Sequence, residues 1–160
     1  NIDDNNYISV STYALDKKLT EELLKCNTKN TVMKFFNSII KDKWKNKTFG
    51  LSNVGEIGWY NHTEYSPTKL HFCSAITKKN MDLLGGFDER FAQGIGYDDN
   101  DFLERINRLK LNVILSDEVS VIHQWHPSVF YNMPNTAELL KKNKLLFEKV
   151  IKKESKIKVN

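Results

Sequence analysis

The stretch "LLGGFDERFAQGIGYDDNDFLERI", residues 83–106, decides how this chain is read. Asp98, Asp99 and Asp101 crowd into four positions, Glu104 follows, and Gly94 and Gly96 stand just upstream. Like charges repel, so the crowding needs a reason. Part of it is structural. Acids in the first turn of a helix are stabilised by the positive end of the macrodipole, by about 0.3–1 kcal/mol each. One Asp can serve as the N-cap, and Asp101 and Arg105 have the i, i+4 spacing of a helical ion pair. The glycines add a second reason. Glycine lets a backbone approach a ligand closely or turn through positive φ. A turn of this kind points the first carboxylates of the following helix outward. An adjacent pair can then divide the work: one accepts hydrogen bonds from a polyol, the other takes a proton.

Working outward, "NYISVSTYAL" predicts a strand near Tyr7 to Ser11. A helical pattern runs from Thr20, with Val32, Phe35, Phe36, Ile39 and Ile40 on one face and an end before Trp44. "KNKTFGLSNVGEIGWYNHTEYSPTK" is polar and glycine-rich, so it reads as largely loop. A loop of that length is often functional. Trp59, Tyr60 and His62 within it could offer flat rings to a substrate, or Trp59 could pin the loop to the core. "LHFCSAI" predicts a buried strand and "TKKNMDLLGG" a short helix opened by Thr77 and closed by a left-handed glycine. "DDNDFLERINRLKLN" predicts a helix that buries Phe102, Leu103, Ile106 and Leu109. "VILSDEVSVIHQWHP" reads as a strand ending in a histidine pair. "TAELLKKNKLLFEKVIKK" predicts a final helix with two apolar stripes, Leu139/Leu146/Val150 and Leu140/Phe147/Ile151.

Composition narrows the function classes. The 160 residues suit one domain with one core, and the net charge of +4 is mild. Much of the basic excess lies in the C-terminal helix, where the apolar residues keep helical spacing. That marks a solvated face rather than an arm for nucleic acid. No nucleic-acid signature and no apolar run of roughly 20 residues is present, and the stretch "NIDDNNYISV" does not read as a signal peptide. Cys26 and Cys73 are too few for a disulfide framework and are expected to be reduced and buried. Sequons at Asn46 and Asn61 carry little weight in a chain so rich in Asn.

Residues 70–127 resemble the acceptor-side half of GT-A glycosyltransferases, in particular family 2 enzymes and the galactosyltransferase type. The resemblance rests on an apolar strand, a short helix, Gly85, Gly86, Phe87, Asp88, Glu89 and Phe91, then Gly94, Gly96, Asp98, Asp99, Asp101 and Arg105, with "VIHQWH" downstream. It implies an α/β fold, the C-terminal portion of a GT-A glycosyltransferase, with a mixed sheet flanked by helices. It implies that residues 1–160 form the acceptor-side subdomain, and that a nucleotide-binding half with its Asp-x-Asp motif belongs to a longer protein. No equivalent of that half precedes residue 70. The implied activity is inverting transfer of a sugar from a nucleotide-sugar donor to the hydroxyl of a carbohydrate or glycoconjugate acceptor. A non-catalytic carbohydrate-binding or scaffold domain with the same fold is the alternative. Calcium binding is weaker, because "DDND" lacks the EF-hand spacing.

By position in the motif, Asp99 would be the catalytic base, and Asp98, with Gly96 and Tyr97, would hold the acceptor. The family often has Glu where this chain has Asp98, and an aromatic residue where it has Ile95. Trp59 and Tyr60 are the possible stacking residues. The chemistry suits these residue types: a base must take the hydroxyl proton from about 2.6–3.2 Å as the bond to the anomeric carbon forms. The transition state there has oxocarbenium character. The leaving diphosphate calls for Mn²⁺ or Mg²⁺, with His123 the expected ligand and His126 the second candidate. The expected compartment is the cytoplasm.

Overall fold

A computed structural model describes residues 3–41, 47–48, 57–69, 73–127 and 133–154. Along the chain these form β1 (Asn6–Ala14), α1 (Lys17–Leu23), α2 (Lys29–Lys41), β2 (Gly58–Asn61), β3 (Ser74–Ala75) and α3 (Lys78–Leu84). A 3₁₀ turn (Glu89–Gln93), α4 (Asp98–Arg108), β4 (Asn112–His123), α5 (Thr136–Lys149) and a π-helical turn (Val150–Glu154) follow. The result is α/β: a mixed sheet with helices packed on it. β1 pairs antiparallel with β2 and with β3. β4 runs parallel to β1, because Asn112 N–H donates to Asn5 O near one end (2.8 Å) and Leu15 N–H to His123 O near the other (3.0 Å).

The chain divides into two compact units. Unit 1 comprises residues 1–9, 69–114 and 128–160; unit 2 comprises residues 10–68 and 115–127. In unit 1, Tyr7, Leu84, Phe102 and Ile106 are buried together, with Ile76, Met81, Leu103 and Leu109 against them. This is the face of α4 that its apolar spacing predicts. Unit 2 buries Tyr13, Leu15, Leu23, Ile39, Ile57 and Trp59, lined by Val32, Phe35 and Phe36 of α2.

The short helices obey their local signals. Thr77 caps α3 by accepting from Asn80 N–H, and Gly85 closes it at φ +73°, its N–H bonded to Met81 O. Asp16 caps α1 in the same way through Leu19 N–H at 2.7 Å, so the helical region starts at Lys17, ahead of the Thr20 expected, and breaks before α2. Several other expectations are corrected. The first strand extends to Ala14, because its second half pairs with β2. The long loop contains that strand, set by Trp59 in the core. Of "LHFCSAI", residues 70–72 lie outside the described residues, and Ser74–Ala75 form only a two-residue, unburied strand. Trp44, used to bound α2, also lies outside them. Cys73 is exposed and Cys26 half-buried, so neither is a core thiol. On α5 the stripe through Leu139, Leu146 and Val150 turns inward, whereas Leu140 and Ile151 are exposed.

Candidate functional site: the acid turn of unit 1

The turn that delivers the acids is built from two consecutive left-handed residues. Gly96 has φ +67° and Tyr97 φ +66°. The N-cap of α4 is therefore Tyr97, with no side-chain cap bond, and not an Asp. All three aspartates fall inside the first helical turn, where the macrodipole favours them. They then take different places. Asp101 is fully buried; Asp98 and Asp99 are half-buried.

Asp101 belongs to a knot centred on Arg105, which is itself 0 % exposed. Arg105 Nε donates to Asp101 Oδ2 at 2.8 Å, and Nη1 donates to Leu84 O at 3.0 Å and Gly86 O at 2.9 Å. Its Nη2 has no hydrogen-bond partner among the described residues. Burial pushes the Asp101 carboxyl up, while Arg105 pulls it back down. A neighbouring pair completes the knot. Asp88 caps the 3₁₀ turn through Arg90 N–H and holds the Arg90 guanidinium at 2.6–3.0 Å. Burial alone would raise Asp88; the bonds from Arg90 outweigh it and hold the carboxyl below its usual range. Gly85, Gly86, Asp88, Asp101 and Arg105 thus hold the frame, and Asp98 and Asp99 are left at its surface.

Beside the turn is a cavity of about 610 Å³ whose walls include Phe87, Glu89, Phe91, Ile95, Gly96 and Asp98. One face of Phe87 stacks on Phe102, with ring centroids 4.4 Å apart and planes at 16°, and the residue is still 43 % exposed. A rigidly backed aromatic ring with open surface beside a carboxylate suits the apolar face and the hydroxyls of a sugar. Nothing in the spacing of "GGFDE", where Phe87 stands between Gly86 and Asp88, signals this. Asp99 does not line the cavity. Its charge acts on the hydroxyl of Tyr7, which is pushed up to about 12, first by burial and to a lesser degree by Asp99.

The other expected site residues lie in unit 2. Trp59 is 3 % exposed, edge-on to Tyr13 (4.9 Å, 82°) and 4.4 Å from the His62 ring. It is a core residue and offers no stacking face, which corrects the sugar-stacking expectation for it. His62 lies between Trp59, to which it is tilted at 54°, and Tyr65, on which it stacks. Its Nδ1 accepts from the N–H groups of Glu64 and Tyr65, leaving the proton on Nε2, 3.7 Å from Asp117 Oδ2. Asp117 also accepts from Thr63 and Ser11; burial would raise its carboxyl, but these bonds hold it low. His62 is thus a structural pin. Tyr60 is half-buried and meets the His123 ring edge-on at 5.1 Å.

His123 ends β4, with the His126 ring 5.4 Å away. Burial, aided by the charge of His126, lowers the His123 pKa and keeps its imidazole neutral, the form a metal requires. Two imidazoles do not complete the roughly six-donor shell of Mn²⁺ or Mg²⁺. Among the described residues no group of three or more His, Cys, Asp or Glu side chains is placed to hold a metal. Nor is any helix among them long and apolar enough to cross a membrane. Comparison of the chain with models of protein families, with curated proteins and with solved structures yields no match in any of the three.

Proposed function

We propose that this chain is the acceptor-side subdomain of an inverting GT-A glycosyltransferase. The observation that carries the reading is the pairing of a half-buried Asp98 with the backed, exposed ring of Phe87 on the walls of one cavity. In this reading the acceptor sugar stacks on Phe87 and bonds to Asp98, with the Gly96 and Tyr97 backbone beside it. Asp99, next along the helix and outside the lining of the cavity, is assigned the proton of the attacking hydroxyl by its place in the motif. A donor nucleotide sugar and its binding half come from the rest of a longer protein. A divalent cation is expected with the leaving diphosphate. His123 would be its ligand and His126 the second candidate, but the donor set is incomplete here and no step is assigned to the metal.

A second reading, a non-catalytic carbohydrate-binding domain, draws on the same cavity, since an aromatic face and a carboxylate suffice to hold a sugar. The two readings separate on Asp99. Nucleotide sugars are screened against saccharide acceptors for acceptor-dependent release of nucleoside diphosphate, using the protein with its donor half. Asp99→Asn should lower turnover by roughly 10²–10⁴-fold with folding intact, whereas Asp98→Ala and Phe87→Ala should mainly raise the acceptor KM. Wild-type turnover in Asp99→Asn would remove the base from the mechanism and leave the binding reading.

A further inference from the structure

The turn that presents Asp98 and Asp99 is costly to hold. It passes through two left-handed residues in succession, one of them a tyrosine, and its helix has no side-chain cap. The restraint comes from α5. The Ile95 N–H donates to Leu139 O at 3.3 Å. One turn on, Asn143 is 1 % exposed, and its Nδ2 donates to both Phe91 O (2.9 Å) and Gly96 O (2.7 Å). A further turn on, the Phe147 ring lies 5.6 Å from that of Tyr97. Positions 139, 143 and 147 share one helical face, so α5 meets the turn with three successive rungs.

The middle rung is specific in its chemistry. Two carbonyl oxygens require two N–H donors from one side chain, which fixes the orientation of the Asn143 amide and excludes its flipped form. The Asn143 Oδ1 is then buried with no hydrogen-bond partner among the described residues. That oxygen also accounts for a glycine. Gly94 is extended, with φ −143°, so its backbone does not demand glycine, but a Cβ there would fall 2.1 Å from Asn143 Oδ1 and 2.8 Å from Leu139 O. Gly94 is needed for contact, Gly96 for conformation.

We infer that Asn143 is a positioning residue that sets the Gly94–Tyr97 turn and so aims Asp98 and Asp99. The inference rests on the acceptor-site reading for the purpose of the aim, and on the geometry alone for the clamp. Asn143→Asp keeps the shape and removes both donors; Gly94→Ala attacks the same contact from the other side. Amide hydrogen exchange is measured by NMR at Gly94, Ile95 and Asp101, whose N–H groups bond to Phe91 O, Leu139 O and Tyr97 O. In both variants exchange at these three should rise about 30-fold, as expected for two lost hydrogen bonds, with Ile106 in the last turn of α4 unchanged. Unchanged exchange at the three amides, or an equal rise at Ile106, would overturn the clamp. In the transfer assay Asn143→Asp should lower kcat and leave the donor KM as it was; full kcat with a loosened turn would overturn the aiming role. Transfer indifferent to Asp99→Asn would instead sink the reading of the acids, and the exchange result would stand.

Discussion

Arg105→Ala should be the most damaging single truncation in unit 1, and the structure sets its size. The guanidinium makes three hydrogen bonds, to Asp101 Oδ2, Leu84 O and Gly86 O, and is 0 % exposed. Removing one partner of a buried ion pair costs about 3–5 kcal/mol, because the other charge is left buried and unpaired. The two carbonyls lose charged donors as well, so a loss of about 4 kcal/mol is expected at neutral pH. Against a total of about 5–15 kcal/mol for a domain, that is a large share. In urea, with a slope of roughly 2 kcal/mol/M, the midpoint should fall by about 2 M. The loss should also depend on pH in a definite direction. Burial already pushes Asp101 up, and without Arg105 its main opposition is gone, leaving only the weaker pull of Arg90. The folded variant then binds a proton more tightly than the unfolded chain, so its stability falls as pH rises through the raised folded pKa and recovers on acidification. Arg105→Lys should recover only part of the loss, since an ammonium cannot span three acceptors with the guanidinium's fork. Arg105→Met combined with Asp101→Leu should be more stable than Arg105→Ala, because the Asp101 charge is no longer left buried without its partner. A loss under about 1 kcal/mol, a loss that grows on acidification from neutral pH, or a double variant no better than the single one would refute the reasoning.

Two further predictions concern titration. The Tyr7 phenol, at about 12, favours the folded state below pH 10, and that contribution is lost as pH rises from about 10 toward 12. Tyr7→Phe should therefore move the alkaline unfolding midpoint, followed by circular dichroism, to higher pH. Asp99→Asn should move it the same way by less, since burial is the larger cause; a downward shift in Asp99→Asn would contradict the proximity of the two groups. His123 has the opposite sense. Its lowered pKa contributes stability above the unfolded value of 6.5 that is lost as pH falls toward the folded pKa. His123→Gln should flatten the stability profile just below pH 6.5, and an unchanged slope in urea titrations there would count against a half-buried imidazole with a lowered pKa.

Where the signal was local, the sequence sufficed. Thr77 and Gly85 bound α3 because a capping hydroxyl and a left-handed glycine act within one turn of the helix. The buried face of α4 followed from spacing alone, and the Asp101–Arg105 pair from i, i+4 geometry. What tertiary contacts decide was not legible. Trp59 reads equally as a stacking platform or as a core anchor until β2 is seen paired to β1 and the ring seen against Tyr13. Phe87 stands in the motif with no assigned role until its ring is seen backed by Phe102 and open on its outer surface. Tyr97 as a left-handed N-cap has no signal, since nothing in a tyrosine announces positive φ. Asn143 did leave one. It interrupts the inward stripe of Leu139, Leu146 and Val150, and a polar residue at a buried helical position needs partners that the helix itself does not supply.

The left-handed backbone at Tyr97 has a consequence for how position 97 tolerates change. For an L-residue that conformation costs about 1–2 kcal/mol, and glycine escapes the cost. In a helix interior alanine is the mild replacement and glycine the harmful one. At position 97 the order should invert in a saturation library scored for folded protein. Glycine, asparagine and aspartate should be enriched, alanine depleted, and valine and isoleucine lost, because a branched Cβ worsens the clash. Such a library, selected for stability alone, would drift away from tyrosine. A tyrosine retained there under selection for activity would mark the ring itself, and not the turn, as what selection keeps.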